Sequence, residues 1–141
     1  MTVHRGDIEA LARQPVVVMA TLQPDGRPQL SLVRPWIHDG MAEVTLTERR
    51  VKTRNLTADP RAALLAISAE LDGFVVAEGR AELSGTSTTP GDEIGQRLAD
   101  LYRAVGGEHP DWDDYYRAMV ADRRLIARMP IDHTYSGGAH S

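Results

Sequence analysis

The chain has 141 residues, 42% hydrophobic and 26% charged, with a formal net charge of −4; that fits one cored domain spanning 1–141, with little room for a second. A sequence pI near 5.7 argues against general nucleic-acid binding, which shows as a basic domain or stripe. The absence of cysteine excludes disulfides, thiolate nucleophiles and zinc ribbons, the five histidines are too scattered for a metal site, and no apolar run is long enough for a membrane span, so a soluble cytoplasmic protein is expected.

Residues 7–13 read as a short amphipathic helix, with Asp7 as N-cap and Ile8, Leu11 and Ala12 on one side. Residues 16–22 are rich in β-branched side chains, Pro24-Asp25-Gly26 is a turn, and 28–37 follow as a second strand, so the pair reads as a hairpin. Asp39-Gly40 turns again, and 41–47 alternate, with Ala42, Val44 and Leu46 on one face and Glu43, Thr45 and Thr47 on the other.

The stretch 45–60 then passes from a strand end through a tight turn into a short helix that Pro60 ends. Arg49, Arg50, Lys52 and Arg54 crowd its first half, where the macrodipole is already positive and carboxylates are favoured, and only Glu48 opposes them. Two readings follow. The helix is a solvated basic one whose lysine snorkels along the core edge, or an anion sits at its N-terminus and takes both the orphan N–H groups and the basic side chains. Helical register places Lys52 and Asn55 between Val51 and Leu56 on the apolar face, so Lys52, the only lysine in the chain, is expected to point inward.

Beyond Pro60, residues 62–68 form a nearly continuous apolar strand, Asp72-Gly73 turns it, and 74–84 alternate. The inward set of that last strand is small, and Gly79 at its middle points to tight curvature first, or else to close approach of another backbone or a ligand. Asp92 opens a helix carrying Ile94, Leu98, Leu101, Tyr102 and Val105 in register, which Gly106-Gly107 ends. Asp111 opens another with a Trp112, Tyr115, Tyr116, Met119 stripe that reads as core, and Asp114 stands like the third residue of a capping box. Residues 124–131 read as the last strand, leading through Asp132-His133-Thr134-Tyr135 into a Ser-Gly-Gly tail expected to fray.

The sum is mainly β with helices: six antiparallel strands in meander order, a small barrel rather than a doubly wound α/β sheet. Neither a Gly-x-Gly-x-x-Gly nor a Walker loop occurs. From 48 to 61 there are five basic and two acidic residues, whereas 92–116 carry seven acidic and two basic, a division that favours a small anionic ligand over a polyanion. No catalytic constellation stands out; His133 is a candidate proton donor, though a lone histidine near a terminus is more often structural. That absence suits a bound hydride carrier, which needs only to be held, oriented and shielded from water.

Pro24-Asp25-Gly26-Arg27-Pro28 followed by Ser31-x-Val33, then Lys52-Thr53-Arg54-Asn55-Leu56-x-x-Asp59-Pro60, resembles the FMN-binding split barrels of the pyridoxamine 5'-phosphate oxidase superfamily. The segment from Glu108 to Tyr115, Met119 to Arg124, and Asp132-His133-Thr134-Tyr135 are similar to its F420-binding actinobacterial members. The resemblance implies a six-stranded split barrel and a homodimer with two cofactor sites at the subunit interface. It implies that Arg50, Lys52 and Asn55, with Thr45 and Thr47, anchor the cofactor phosphate, and that Ser31, Val33, Arg34 and Trp36 line the ring; Arg34-Pro35-Trp36 departs from that branch. The expected cofactor is F420, with FMN as the alternative, and arginine- and alanine-rich composition accords with a GC-rich actinobacterial genome. F420 also has an acidic tail that Arg49 and Arg54 would meet. The expected activity is an F420H2-dependent reductase acting on a small planar electron-poor substrate, with His133 or Tyr135 as a protonating group. The alternatives are an FMN-dependent oxidase or reductase, and a non-catalytic F420 carrier.

Overall fold

A computed structural model describes residues 2–68 and 73–138. Strand β1 (Val17–Leu22) buries Val17, Met19 and Thr21 at every second position, as a pleated strand with one face inward must. It pairs antiparallel with β2 (Pro28–Val33) across the 24–26 turn, where Gly26 takes φ +86°. After β3 (Trp36–His38) and β4 (Met41–Thr47), the chain enters α2 (Val51–Ala58), preceded in the chain by α1 (Arg5–Ala12). Next come β5 (Arg61–Ser68), β6 (Gly73–Arg80), β7 (Glu82–Leu83), α3 (Glu93–Gly106), α4 (Trp112–Ala121) and the 15-residue β8 (Arg124–Gly138).

Hydrogen bonding orders the strands β2-β1-β5-β6-β8-β4-β3, with β7 also on β8, and every pairing is antiparallel. The two ends of this path, β2 and β3, are separated in the chain only by Arg34-Pro35, so the sheet curls back on itself as a split barrel. Leu11 of α1, Leu56 of α2 and the inward residues of β1, β4, β5, β6 and β8 fill the interior. A second, smaller core joins Leu98, Ala99 and Tyr115 of α3 and α4 to Ile126 of β8, which lays the helical pair on the outside of the sheet.

Several expectations are corrected. The strands number eight rather than six, because the expected strand 28–37 breaks at Pro35, which has no N–H for a ladder, and 74–84 divides into β6 and β7. The Ser136-Gly137-Gly138 tail does not fray but pairs with Val75, Phe74 and Gly73. Helix α1 begins at Arg5 with His4 at its N-cap, so Asp7 lies in the first turn. Val51 is 43% exposed; the buried face of α2 is Thr53, Asn55 and Leu56, because the Asn55 amide donates to Thr21 Oγ1 at 3.1 Å and rotates the inward arc away from Val51. Of the expected 72–73 turn, Asp72 lies outside the described residues and Gly73 begins β6.

Gly79 sits at a register shift between β6 and β8. A Cβ there would lie inside the Pro130 carbonyl oxygen and 2.8 Å from Met129 Cγ. Curvature and close backbone approach therefore meet at one residue, and only glycine fits.

Candidate functional site

Glu48, the one carboxylate expected to offset the basic cluster of α2, is engaged elsewhere. Its two oxygens accept from the Arg123 guanidinium at 3.0 Å each, and Thr86 Oγ1 donates to it at 3.0 Å; these bonds hold its pKa below the usual glutamate value. No carboxylate pairs with Arg49, Arg50, Lys52 or Arg54 among the described residues. Arg50 is the N-cap of α2 and gives no side-chain cap, and the first turn holds no acidic residue. The free N–H groups, the dipole and the side-chain cations thus carry the same sign at one spot.

Lys52 reaches from there toward β2, its ammonium donating to Ser31 Oγ at 3.3 Å. Burial, with Arg50 and Arg124 nearby, pulls its pKa below the usual lysine value. Lys52 forms one wall of a cleft of about 750 Å³ between the sheet and the helical pair. On the sheet side stand Val33 and Arg34 from the end of β2, Thr45 from β4 and Arg124 from the start of β8; on the helical side stand Tyr102, His109 and Tyr115. Arg124 Nη1 donates to Thr45 Oγ1 at 3.3 Å. Its Nε is buried with no hydrogen-bond partner among the described residues, 4.0 Å from the Asp122 carboxylate.

The structure therefore gathers Val33, Arg34, Thr45 and Lys52 at one cleft, with Ser31 reached through its hydrogen bond from Lys52 rather than as part of the lining. Thr47 shapes its edge through the backbone, its carbonyl accepting from Thr53 Oγ1 at 2.7 Å and from Arg50 N at 3.1 Å. Asn55 is turned to the interior, where it fixes α2 to β1. Trp36 stacks on His38 with centroids 3.7 Å apart and is not among the residues lining the cleft. His133 and Tyr135 stand on β8 opposite Glu78 and Val76, also away from the cleft lining; His133 Nε2 lies 3.9 Å from Glu78 and its Nδ1 lies 3.1 Å from the Thr2 carbonyl.

Sequence reasoning missed Arg124, Tyr102, His109 and Tyr115. Arg124 was available only as a cation heading an apolar strand; the aromatic stripe is core as expected, with Tyr115 6% exposed and Trp112, Tyr116 and Met119 packed against the same cluster, and Tyr115 and Met119 line the cleft as well. The Tyr115 hydroxyl donates to the Leu98 carbonyl at 2.9 Å, and burial pushes its pKa up to about 12. No group of three or more His, Asp or Glu residues able to hold a metal occurs among the described residues, and no described helix is long and apolar enough to cross a membrane.

The donor set fits an anionic group such as a phosphate. An uncapped helix start, a lysine ammonium destabilised by burial and a buried Arg124 N–H without a hydrogen-bond partner are all relieved by an anion. The adjoining space has the size of a cofactor cleft.

A family model described as pyridoxamine 5'-phosphate oxidase matches residues 8–132. Among solved structures, an F420 reductase is 24% identical, with 94% of this chain and 98% of that one covered and a TM-score of 0.72. A conserved hypothetical protein from Mycobacterium tuberculosis is 20% identical, with 100% and 96% covered and a TM-score of 0.72. A heme binding protein from Mycobacterium smegmatis is 23% identical, with 99% of this chain and 57% of that one covered and a TM-score of 0.68. At these identities the structures establish the shared fold.

Proposed function

Because the chain belongs to the pyridoxamine 5'-phosphate oxidase family, we propose that it is an F420H2-dependent reductase of small planar, electron-poor substrates. The observation that carries this reading is Lys52, held against Ser31 at the uncapped start of α2 and opening onto the cleft. Lys52, Ser31, Arg50 and the α2 N–H groups would hold the phosphate. Thr45 and Arg124 would border the ring, with Val33 and Arg34 on its β2 side, while Thr47 and Asn55 keep α2 in place. When bound, a reduced deazaflavin would supply a hydride, and the chain's own residues would orient it and exclude water from the cleft. Arg49 and Arg54, both without a carboxylate partner among the described residues, favour the acidic tail of F420 over FMN.

The second part of the proposal is a homodimer with its cofactor sites at the interface. Leu30 and Leu32 on the edge strand β2 and Ile67 on β5 are 63%, 71% and 65% exposed, and β2 runs directly into the cleft at Val33-Arg34. A second copy covering this face would close the cleft, and His133 and Tyr135 on the outer face of β8 would then meet the partner as candidate protonating groups.

Titration of the purified protein with F420 and FMN side by side, followed by cofactor fluorescence, tests the reading. Micromolar F420 binding with weaker FMN binding, and oxidation of F420H2 by an enone or quinone, is the expected result. Preferred FMN binding moves the protein to flavin chemistry, and tight F420 binding without turnover of any acceptor makes it a carrier.

A further inference from the structure

His109 lies in the short segment between α3 and α4 and lines the helical side of the cleft. Its ring is held among three aromatic rings, with centroids 5.4 Å from Tyr102, 5.7 Å from Trp112 and 5.4 Å from Tyr115. The N-cap of α4 fixes its tautomer as well. In a reciprocal capping box the N-cap N–H goes to the side chain three residues on. Here the Asp111 carboxylate accepts from Asp114 N at 3.1 Å, but the Asp111 N–H donates instead to His109 Nδ1 at 3.0 Å.

A backbone N–H can only donate, so Nδ1 is an acceptor and the neutral imidazole carries its proton on Nε2. Nε2 has no hydrogen-bond partner among the described residues. Tyr115 cannot take the same part, since its hydroxyl is already committed to the Leu98 carbonyl. The cations of the cleft are Arg34 and Arg124 on the sheet side and Lys52 from α2, while the helical side carries one carboxylate, Asp114, along with the His109 ring.

We propose that His109 is a substrate-binding residue whose Nε2–H donates a hydrogen bond to the carbonyl oxygen of a planar acceptor in the cleft. The bond selects ring-edge carbonyl compounds over hydrocarbons of the same shape. A neutral donor of fixed tautomer polarises a carbonyl without placing a buried charge beside it. The inference rests on the reading of this cleft as the site of cofactor and planar substrate.

The test uses 1,4-naphthoquinone and naphthalene as probes on the full chain, with and without saturating oxidised F420, reading the fluorescence of Trp112 in a Trp36→Phe background. The chain has no cysteine, so no thiol adds to the quinone. His109→Phe, which keeps a ring in the aromatic cluster, is expected to weaken naphthoquinone about fivefold and to leave naphthalene unchanged; His109→Gln, with an amide N–H near the Nε2 position, recovers part of the loss. Nitrogen NMR of the wild-type ring is expected to find the proton on Nε2. Equal loss for both probes, no loss, or a proton on Nδ1 overturns the proposal. If the protein binds no F420 yet the quinone affinity still depends on His109, the cofactor reading falls and the His109 assignment stands; F420 binding with a quinone affinity indifferent to His109 gives the reverse.

Discussion

At Lys52, burial and two neighbouring guanidinium groups oppose the ammonium, and a phosphate would reverse that balance. Lys52→Ala is expected to weaken cofactor binding by about 1.5–3 kcal/mol, the range of a hydrogen bond to a charged group, measured by fluorescence titration. The sign of the pH dependence follows. The free-state pKa is depressed and a bound phosphate raises it, so binding takes up a proton between the two values and affinity falls as pH rises through that alkaline window. Lys52→Arg, charged throughout, is expected to remove this dependence. Asp92 is a separate case, at the N-cap of α3. Burial raises its pKa, but the Gly95, Thr88 and Thr89 N–H groups and the Ser87 hydroxyl outweigh that and hold it at about 2. Its contribution is therefore present above the unfolded aspartate value and lost as pH falls through the folded one; Asp92→Ala is expected to cost about 1 kcal/mol at neutral pH and to flatten the acid limb of a melting-temperature profile. Lys52 was legible as a candidate because charge placement at a helix start is local, although the register that set it between Val51 and Leu56 did not hold. Arg124 and His109 were not, since their positions at the cleft depend on strand pairing with β4 and on packing between α3 and α4.

At the scale of elements, alternation and helical spacing located nearly every strand and helix, and the misses have local causes. Pro35 split a strand that alternation alone would have continued, and the bulge at Gly79 bent β6 where its small side chains had pointed to curvature. Gly79→Ala is expected to destabilise the fold by about 3 kcal/mol in chemical denaturation, because the new methyl group meets the β8 backbone rather than a side chain able to move. The helical pair depends on its own small core. Leu98, wholly buried between Tyr115 and Ile126, is expected to cost about 2–5 kcal/mol as Leu98→Ala. A second tie runs from Arg97 of α3 to Glu43 of β4, at 3.7 Å, and Glu43 is also hydrogen-bonded to His38. The acidic segment 92–116 therefore does not serve as a free surface alone: it carries the wall that faces the basic helix across the cleft.

The whole molecule leaves Leu30, Leu32 and Ile67 on an outward sheet face beside the cleft. Monomers rarely expose such residues together without a use for them. Leu32→Glu is expected to convert the proposed dimer to a monomer in size-exclusion chromatography with light scattering, and to weaken F420 binding as well; a monomeric wild type would sink the interface. What the sequence by itself determined was the class of fold and the basic helix with its lone lysine, because strand alternation, turn chemistry and helix charge are encoded within a few neighbouring residues. Tertiary structure alone decided that the sheet's two ends meet at Arg34-Pro35, that Glu48 is drawn off by Arg123, and that Arg124 and His109 line one cleft with Lys52 in its wall. Those facts join residues as far apart in the chain as Glu48 and Arg123, and such a juxtaposition depends on how the whole sheet closes, which no local periodicity encodes.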